Sequence, residues 1–175
     1  MQGPVLGKFW VLGMSAEISE CGLYRYKLVR QIPQPIRWVR PCLFIMLNPS
    51  TADAELDDPT IRRCISFAKR EGCTRLTVVN LFALRATDPK ALRKAEDPEG
   101  PLNDGYLLEE IETHQNIGLT VAAWGADPFA RRKAEWLRNQ IRPIQCLGFT
   151  RSGAPRHPLY LKADAPLTQW PRSRT

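Results

Sequence analysis

Four short apolar runs constrain this chain more than any other feature of it. They are Leu43 to Leu47, Leu76 to Leu81, Leu119 to Trp124 and Ile144 to Leu147, and each is nearly continuous rather than alternating. That pattern suits central strands covered on both faces. Between the runs lie helix-start signals. Asp58-Pro59, Asp88-Pro89 and Asp127-Pro128 each set a capping carboxylate before a proline at the first helical position. The spacing predicts a helix over 59–71 with Ile61, Ile65 and Ala68 on one face and Gly72 as its stop. A second helix, capped by Asn103, carries Leu107, Leu108 and Ile111. A third, from Pro128, turns Ala130, Ala134, Leu137 and Ile141 to the core and leaves Arg131, Arg132, Lys133 and Arg138 on other faces.

Strands alternating with helices imply an α/β fold. The expectation is a three-layer α/β/α sandwich around a central, mostly parallel four-stranded sheet. Upstream, residues 22–30 interleave aromatics and charges and read as an exposed strand of an N-terminal β-hairpin, which Pro33 and Pro35 then interrupt. A length of 175 residues fits one domain. Residues 1–40 form its β extension and 161–175 a C-terminal tail, of which 171–175 look disordered.

Composition narrows the function classes. The net charge of +7 favours a polyanionic partner such as nucleic acid. The five cysteines form no C-x-x-C pair, which disfavours a zinc ribbon or a disulfide framework and leaves buried thiols as the plain reading. No apolar run is long enough to span a bilayer and no signal-peptide pattern opens the chain, so a cytoplasmic protein without a membrane partner is expected. There is no Walker-type loop and no G-x-G-x-x-G turn.

In a parallel α/β sheet the ligand site lies beyond the carboxyl ends of the strands. The first run ends in Leu47-Asn48-Pro49-Ser50-Thr51-Ala52-Asp53. There Asn48 can orient a water and Asp53 can serve as a general base, although Asn-Pro-Ser also makes an ordinary turn. The second run contains Asn80, a polar interruption in a buried strand. Its amide must find partners, and with both donor and acceptor it suits the edge of a base. The third ends in Trp124-Gly125, an aromatic plane that can stack on a flat ligand or simply fill the core, beside a residue that permits close backbone approach. The fourth leads to a loop bearing Arg151, Arg156 and His157, followed by Lys162. His157, flanked by cations and a proline, is the better candidate of the two histidines. His114 reads as a surface residue. Arg85, Arg151, Arg156 and Lys162 are candidate phosphate contacts.

These strand ends, in this order, resemble the uracil-DNA glycosylase superfamily. Met46-Leu47-Asn48-Pro49-Ser50 is similar to its first motif, with Ser50 in the place of a glycine. Val79-Asn80-Leu81-Phe82-Ala83-Leu84-Arg85 is similar to the stretch that reads a pyrimidine. Ala123-Trp124-Gly125 matches the end of its third strand, and His157-Pro158 keeps half of its last motif. The chain also looks like a bacterial and phage family known as a domain of unknown function, through its LNPSTAD…DPT and RHPLYLK blocks. The superfamily resemblance implies DNA as partner, no cofactor, no metal and no obligate protein partner. It implies an enzyme that hydrolyses the N-glycosidic bond of a flipped base, uracil or a hypermodified pyrimidine of the kind phage DNA carries, in repair or phage defence. Asn48 would position the water, His157 would stabilise the departing base, and Pro49, Ser50, Asn80, Trp124 and Gly125 would hold it. Asp53 has no counterpart there. Two alternatives stay open: a module that binds a modified base without cutting, and a transferase or processing enzyme of phage-type base modification.

Overall fold

The computed structural model describes residues 7–11, 13–35 and 38–170. They form one mixed sheet of strands β1 (Gly7–Val11), β2 (Met14–Ile18), β3 (Arg25–Gln31), β4 (Pro41–Met46), β5 (Arg75–Asn80), β6 (Leu119–Ala122), β7 (Ile144–Cys146) and β8 (Thr168–Trp170). Their order across the sheet is β1-β2-β3-β5-β4-β6-β7-β8. The four apolar runs are β4 to β7, and these four are mutually parallel, with Met46 opposite Asn80 and Ile45 opposite Ala122. The sheet is twice the size expected. The upstream strands are not a separate hairpin, since antiparallel β3 pairs directly with β5. Part of the presumed tail is β8, antiparallel to β7. These additions were hidden because an antiparallel edge strand needs only a few residues. The expectation of disorder at 171–175 lies outside the described residues.

Helices cover both faces. Helix α1 (Pro59–Arg70) packs Ile61, Cys64, Phe67 and Ala68 against Phe44, Met46 and Val78. Helices α2 (Asn103–Ile117) and α3 (Ala130–Arg138) pack Leu107, Ile111, Ala130 and Leu137 against Leu43, Ile45 and Val79. Alternate residues of β4 therefore serve opposite cores, which is why the run could not alternate with polar residues. Each large apolar side chain so buried contributes about 1.5–3 kcal/mol. Asp58 caps α1 as the sequence implied, accepting from the Ile61 N–H at 2.8 Å. Asp88 caps a 3₁₀ turn, Pro89–Lys94, rather than an α-helix. Gly118 lets α2 turn into β6, because a Cβ there would stand 2.2 Å from the Pro41 carbonyl oxygen.

Several expectations about polar residues fail for one reason: an ion pair or a backbone carbonyl awaits them inside. The strand read as exposed is interior, and Arg25 and Arg30 in it are each only 2% exposed. Lys133 is buried on α3, bound to Glu99 and Asp104. His114 is buried against the Glu110 carbonyl, 2.7 Å from its Nδ1. Asn103 does not cap α2, since its Nδ2 donates instead to the carbonyls of Asn80 and Leu81, each at 3.0 Å. Four of the five cysteines are buried, and Cys21 is exposed. Among the described residues no helix is long and apolar enough to cross a membrane.

Candidate active site

The chain enters the parallel sheet at β4, which is flanked by β5 on one side and β6 on the other. The connection from β4 runs to α1 on one face, while β5 and β6 lead to α2 and α3 on the other. Such a divergence opens a crevice beyond the strand ends. A cavity of about 370 Å³ lies there, within the roughly 300–1,000 Å³ range of small-molecule sites. Met46, Val78 and Asn80 line it from the sheet and Asp58, Thr60 and Ile61 from the start of α1. The loops after β4 and β6 bring Asn48 and Ser50, and Trp124 and Gly125. The loop after β7 brings His157.

Asn80 ends β5 and is 1% exposed. Neither its Oδ1 nor its Nδ2 has a hydrogen-bond partner among the described residues. A buried amide left so costs about 1–3 kcal/mol of stability, and this one lines a cavity. Its main chain is held from the opposite face of the sheet by the Asn103 amide. The strand end is thus fixed while the side chain is left with its whole hydrogen-bonding capacity.

Asn48 is differently placed. Its Nδ2 donates to the Pro49 carbonyl at 2.9 Å and to the Ala86 carbonyl at 2.8 Å. Only the nitrogen of an amide can face two carbonyls, so the orientation of the group is set. Oδ1 remains as an acceptor on the cavity wall. Pro49 itself is buried and does not line the cavity. Its carbonyl, which also accepts from the Ala86 N–H, joins the β4 loop to the segment after β5.

His157 precedes a 3₁₀ turn, Pro158–Tyr160, and its Nδ1 accepts from the Leu159 N–H at 3.3 Å. That bond leaves the proton on Nε2 in the neutral ring. Burial lowers the pKa of His157 below the usual imidazole value, against the pull of the Asp58 carboxylate. Arg63 of α1 donates to the carbonyls of Pro158 and Leu161 and ties this turn to the helix. Gly125, at φ +84°, passes so close that a Cβ would lie 3.3 Å from that of His157. Trp124 is buried and meets Trp170 edge-on, ring centroids 4.8 Å apart, so it serves both the core and the cavity wall.

The other candidates stand elsewhere. Asp53 does not line the cavity. Its Oδ1 accepts from the amides of Glu55 and Leu56, each at 2.9 Å, and those bonds lower its pKa below the usual carboxylate value. A carboxylate so held is a poor base, which removes the general-base role the loop position implied. Arg85 lies outside the cavity and donates to the Gly22 carbonyl. Arg151, Arg156 and Lys162 are exposed on the surface.

Sequence reasoning missed other residues on the cavity. Asp58 and Asp127 read as helix caps, yet a helix that starts at the carboxyl end of a strand presents its cap to the crevice. That signal was available. Arg25 carried no such signal, because a charge between Tyr24 and Tyr26 looks like the polar phase of a surface strand. Asp127 accepts from Phe129 N–H and pairs with Arg93 at 2.7 Å. Among the described residues no cluster of three or more His, Cys, Asp or Glu could hold a metal ion.

A family model described as "Protein of unknown function (DUF1643)" matches residues 25–159, a span that holds β3 to β7 and the candidate residues from Arg25 to His157. No curated protein and no solved structure matches the chain. None of these findings connects it to the uracil-DNA glycosylase superfamily, so that kinship rests on the strand-end motifs alone.

Proposed function

We propose that this chain, which belongs to the DUF1643 family, is a DNA glycosylase that hydrolyses the N-glycosidic bond of a flipped, altered pyrimidine. The observation that carries the reading is the wholly unpartnered amide of Asn80 on a cavity it shares with Asn48 and His157. The order of motifs at the strand ends, similar to that of the uracil-DNA glycosylases, supports the same view and a uracil-DNA glycosylase-like sandwich.

The base leaves the stack at a cost of a few kcal/mol and enters the cavity. Asn80 pairs with a donor–acceptor edge of the base. The Asn48 Oδ1 accepts from a water and directs its lone pair to the anomeric carbon. As the C–N bond breaks, its electrons pass to the base, and the His157 Nε2–H stabilises the charge that grows there. The water completes the bond to the sugar and its proton passes to the departing base anion, leaving an abasic site and the free base. The exposed cations Arg151, Arg156 and Lys162 hold phosphates outside the cavity.

The test is incubation with single- and double-stranded DNA carrying uracil or modified pyrimidines. Alkali-labile sites are expected, falling by about 100-fold or more in Asn48→Ala and His157→Ala, the range for loss of one acid–base or charge-stabilising group. A broad panel of bases that yields no abasic site would sink the reading. One observation favours a second reading, recognition without cleavage: the carboxylate of Asp53 is turned away from the cavity. A binding module would keep its affinity for a modified base in His157→Ala and would cut nothing.

A further inference from the structure

Arg25 opens β3 and is among the most deeply buried side chains of the protein, yet it lines the same cavity as Asn80. Its Nη1 donates to the Ala52 carbonyl. Its Nε has no partner among the described residues. Among the described residues it forms no ion pair, in contrast to Arg30 on the same strand, whose Nε meets Asp57 at 2.7 Å. The charges that act on Arg25 from around it are Asp58 and Asp53, which favour its cationic form, and Arg85 and Arg30, which oppose it. Of these the Asp58 carboxylate, which also lines the cavity, acts most strongly, yet among the described residues it makes no ion pair with the guanidinium. Burial lowers its pKa to about 10, so the group is still a cation at neutral pH.

A buried cation with no carboxylate in direct contact is costly, and proteins hold such charges against an opposite one. Here the opposite charge has room to arrive from the cavity. A planar guanidinium suits a carboxylate or phosphate. Arg25 sits in the interior, where the chain runs beside the end of β5 through the Arg25 N–H bond to the Ala83 carbonyl. The phosphates of a strand would stay with the exposed cations. An anion that reaches Arg25 must therefore be borne by the base.

We infer that Arg25 is a specificity-determining residue and that the cavity takes an acidic pyrimidine, one whose ring carries a carboxylate that Arg25 receives while Asn80 reads the ring edge. The inference rests on the glycosylase reading for the base itself and adds the charge.

Calorimetric titration of the full chain decides it, with pyrimidine pairs that differ only in charge: 5-carboxyuracil against uracil-5-carboxamide, and orotic acid against its amide. The wild type should bind one acid at least about tenfold more tightly than its amide. Arg25→Gln should erase that ratio and Arg25→Lys keep part of it. A merely structural arginine would alter the melting temperature and leave the ratio intact. Equal binding of acid and amide, binding of none of the four, or an unchanged ratio in Arg25→Gln overturns the inference. So does tight binding of deoxyuridine monophosphate alone, since the anion would then be the phosphate. Should Arg25→Gln not fold, the wild-type ratio and Arg25→Lys decide. Acid binding without cleavage of DNA carrying that base would end the glycosylase reading and leave Arg25 its role. Cleavage of DNA carrying the acidic pyrimidine by Arg25→Gln at the wild-type rate would do the reverse.

Discussion

Two arginines of β3 and two asparagines, Asn80 at the end of β5 and Asn103 at the start of α2, divide the molecule into a more finished part and a less finished one. Arg30 is buried and saturated. It meets Asp57 and donates to the carbonyls of Val29 and Asp53. Arg25, five residues earlier, has one carbonyl and no acid. The Asn103 Nδ2 serves the carbonyls of Asn80 and Leu81, although its Oδ1 has no partner among the described residues, while neither atom of the Asn80 amide has one. Arg25 and Asn80 line the cavity, and Arg30 and Asn103 do not. Burial of a polar group alone therefore does not mark function here. Burial without a partner, beside space, is what sets Arg25 and Asn80 apart.

The largest effect that could break this contrast is expected at Arg30. Arg30→Ala removes one side of a buried pair and strands Asp57, whose carboxylate is 22% exposed. Loss of about 3 kcal/mol is expected in a urea titration, at the low end for a buried pair because Asp57 keeps some water. Arg25→Ala should cost clearly less, since no acid loses its partner. Equal costs would mean that Arg25 is as well satisfied as Arg30 and would dissolve the distinction.

A smaller effect of opposite sign is expected at the two asparagines. Asn103→Leu leaves two β5 carbonyls without their donor and should destabilise by about 1–3 kcal/mol. Asn80→Leu replaces an unsatisfied amide by an apolar group of similar size and should stabilise by up to about 1 kcal/mol while abolishing ligand binding. Melting curves of both variants beside the DNA-cleavage assay check the pair. If Asn80→Leu destabilises as Asn103→Leu does, the Asn80 amide has an internal partner and the site reading loses its main support.

The same distinction explains what could be read from the chain. Continuity of the runs at Leu43, Leu76, Leu119 and Ile144 announced parallel strands covered on both faces, and the polar residues ending or interrupting them pointed to the crevice. Asn48, Ser50, Asn80, Trp124, Gly125 and His157, which the fold brings to one cavity, were legible for that reason. Asp53 was misread because a carboxylate two and three residues before free amides closes a turn on itself, a local preference that overrides loop position. Lys133 and Arg25 were misread because a partner distant in sequence, or its absence, leaves no local trace, and His114 because its partner is a backbone carbonyl one turn back, which its side-chain pattern does not announce. The added edge strands escaped for a related reason, since pairing of β3 with β5 and β7 with β8 is decided by neighbours rather than by composition.

The smallest effect sharpens the comparison through pH. His114 lies away from the cavity, its Nδ1 on the Glu110 carbonyl, and His157 lines it. Burial lowers the pKa of both below the usual imidazole value of about 6.5. A base whose folded pKa is depressed binds fewer protons folded than unfolded between the two values. Stability is therefore full above about pH 6.5 and falls as pH drops from there through the folded values. Asp53 acts in a separate window, because its stabilisation is lost only as pH falls through a folded pKa already below the usual carboxylate value. The urea midpoint should decline between about pH 7 and 5, and His114→Phe and His157→Asn should each flatten part of that decline. The two differ in what a ligand changes. A base bound in the cavity interacts with His157 and not with His114, so ligand should alter the slope in His114→Phe and leave it unaltered in His157→Asn. A decline that responds to ligand equally in both variants would mean that His157 does not face the bound base, and the cavity would lose its electrophile.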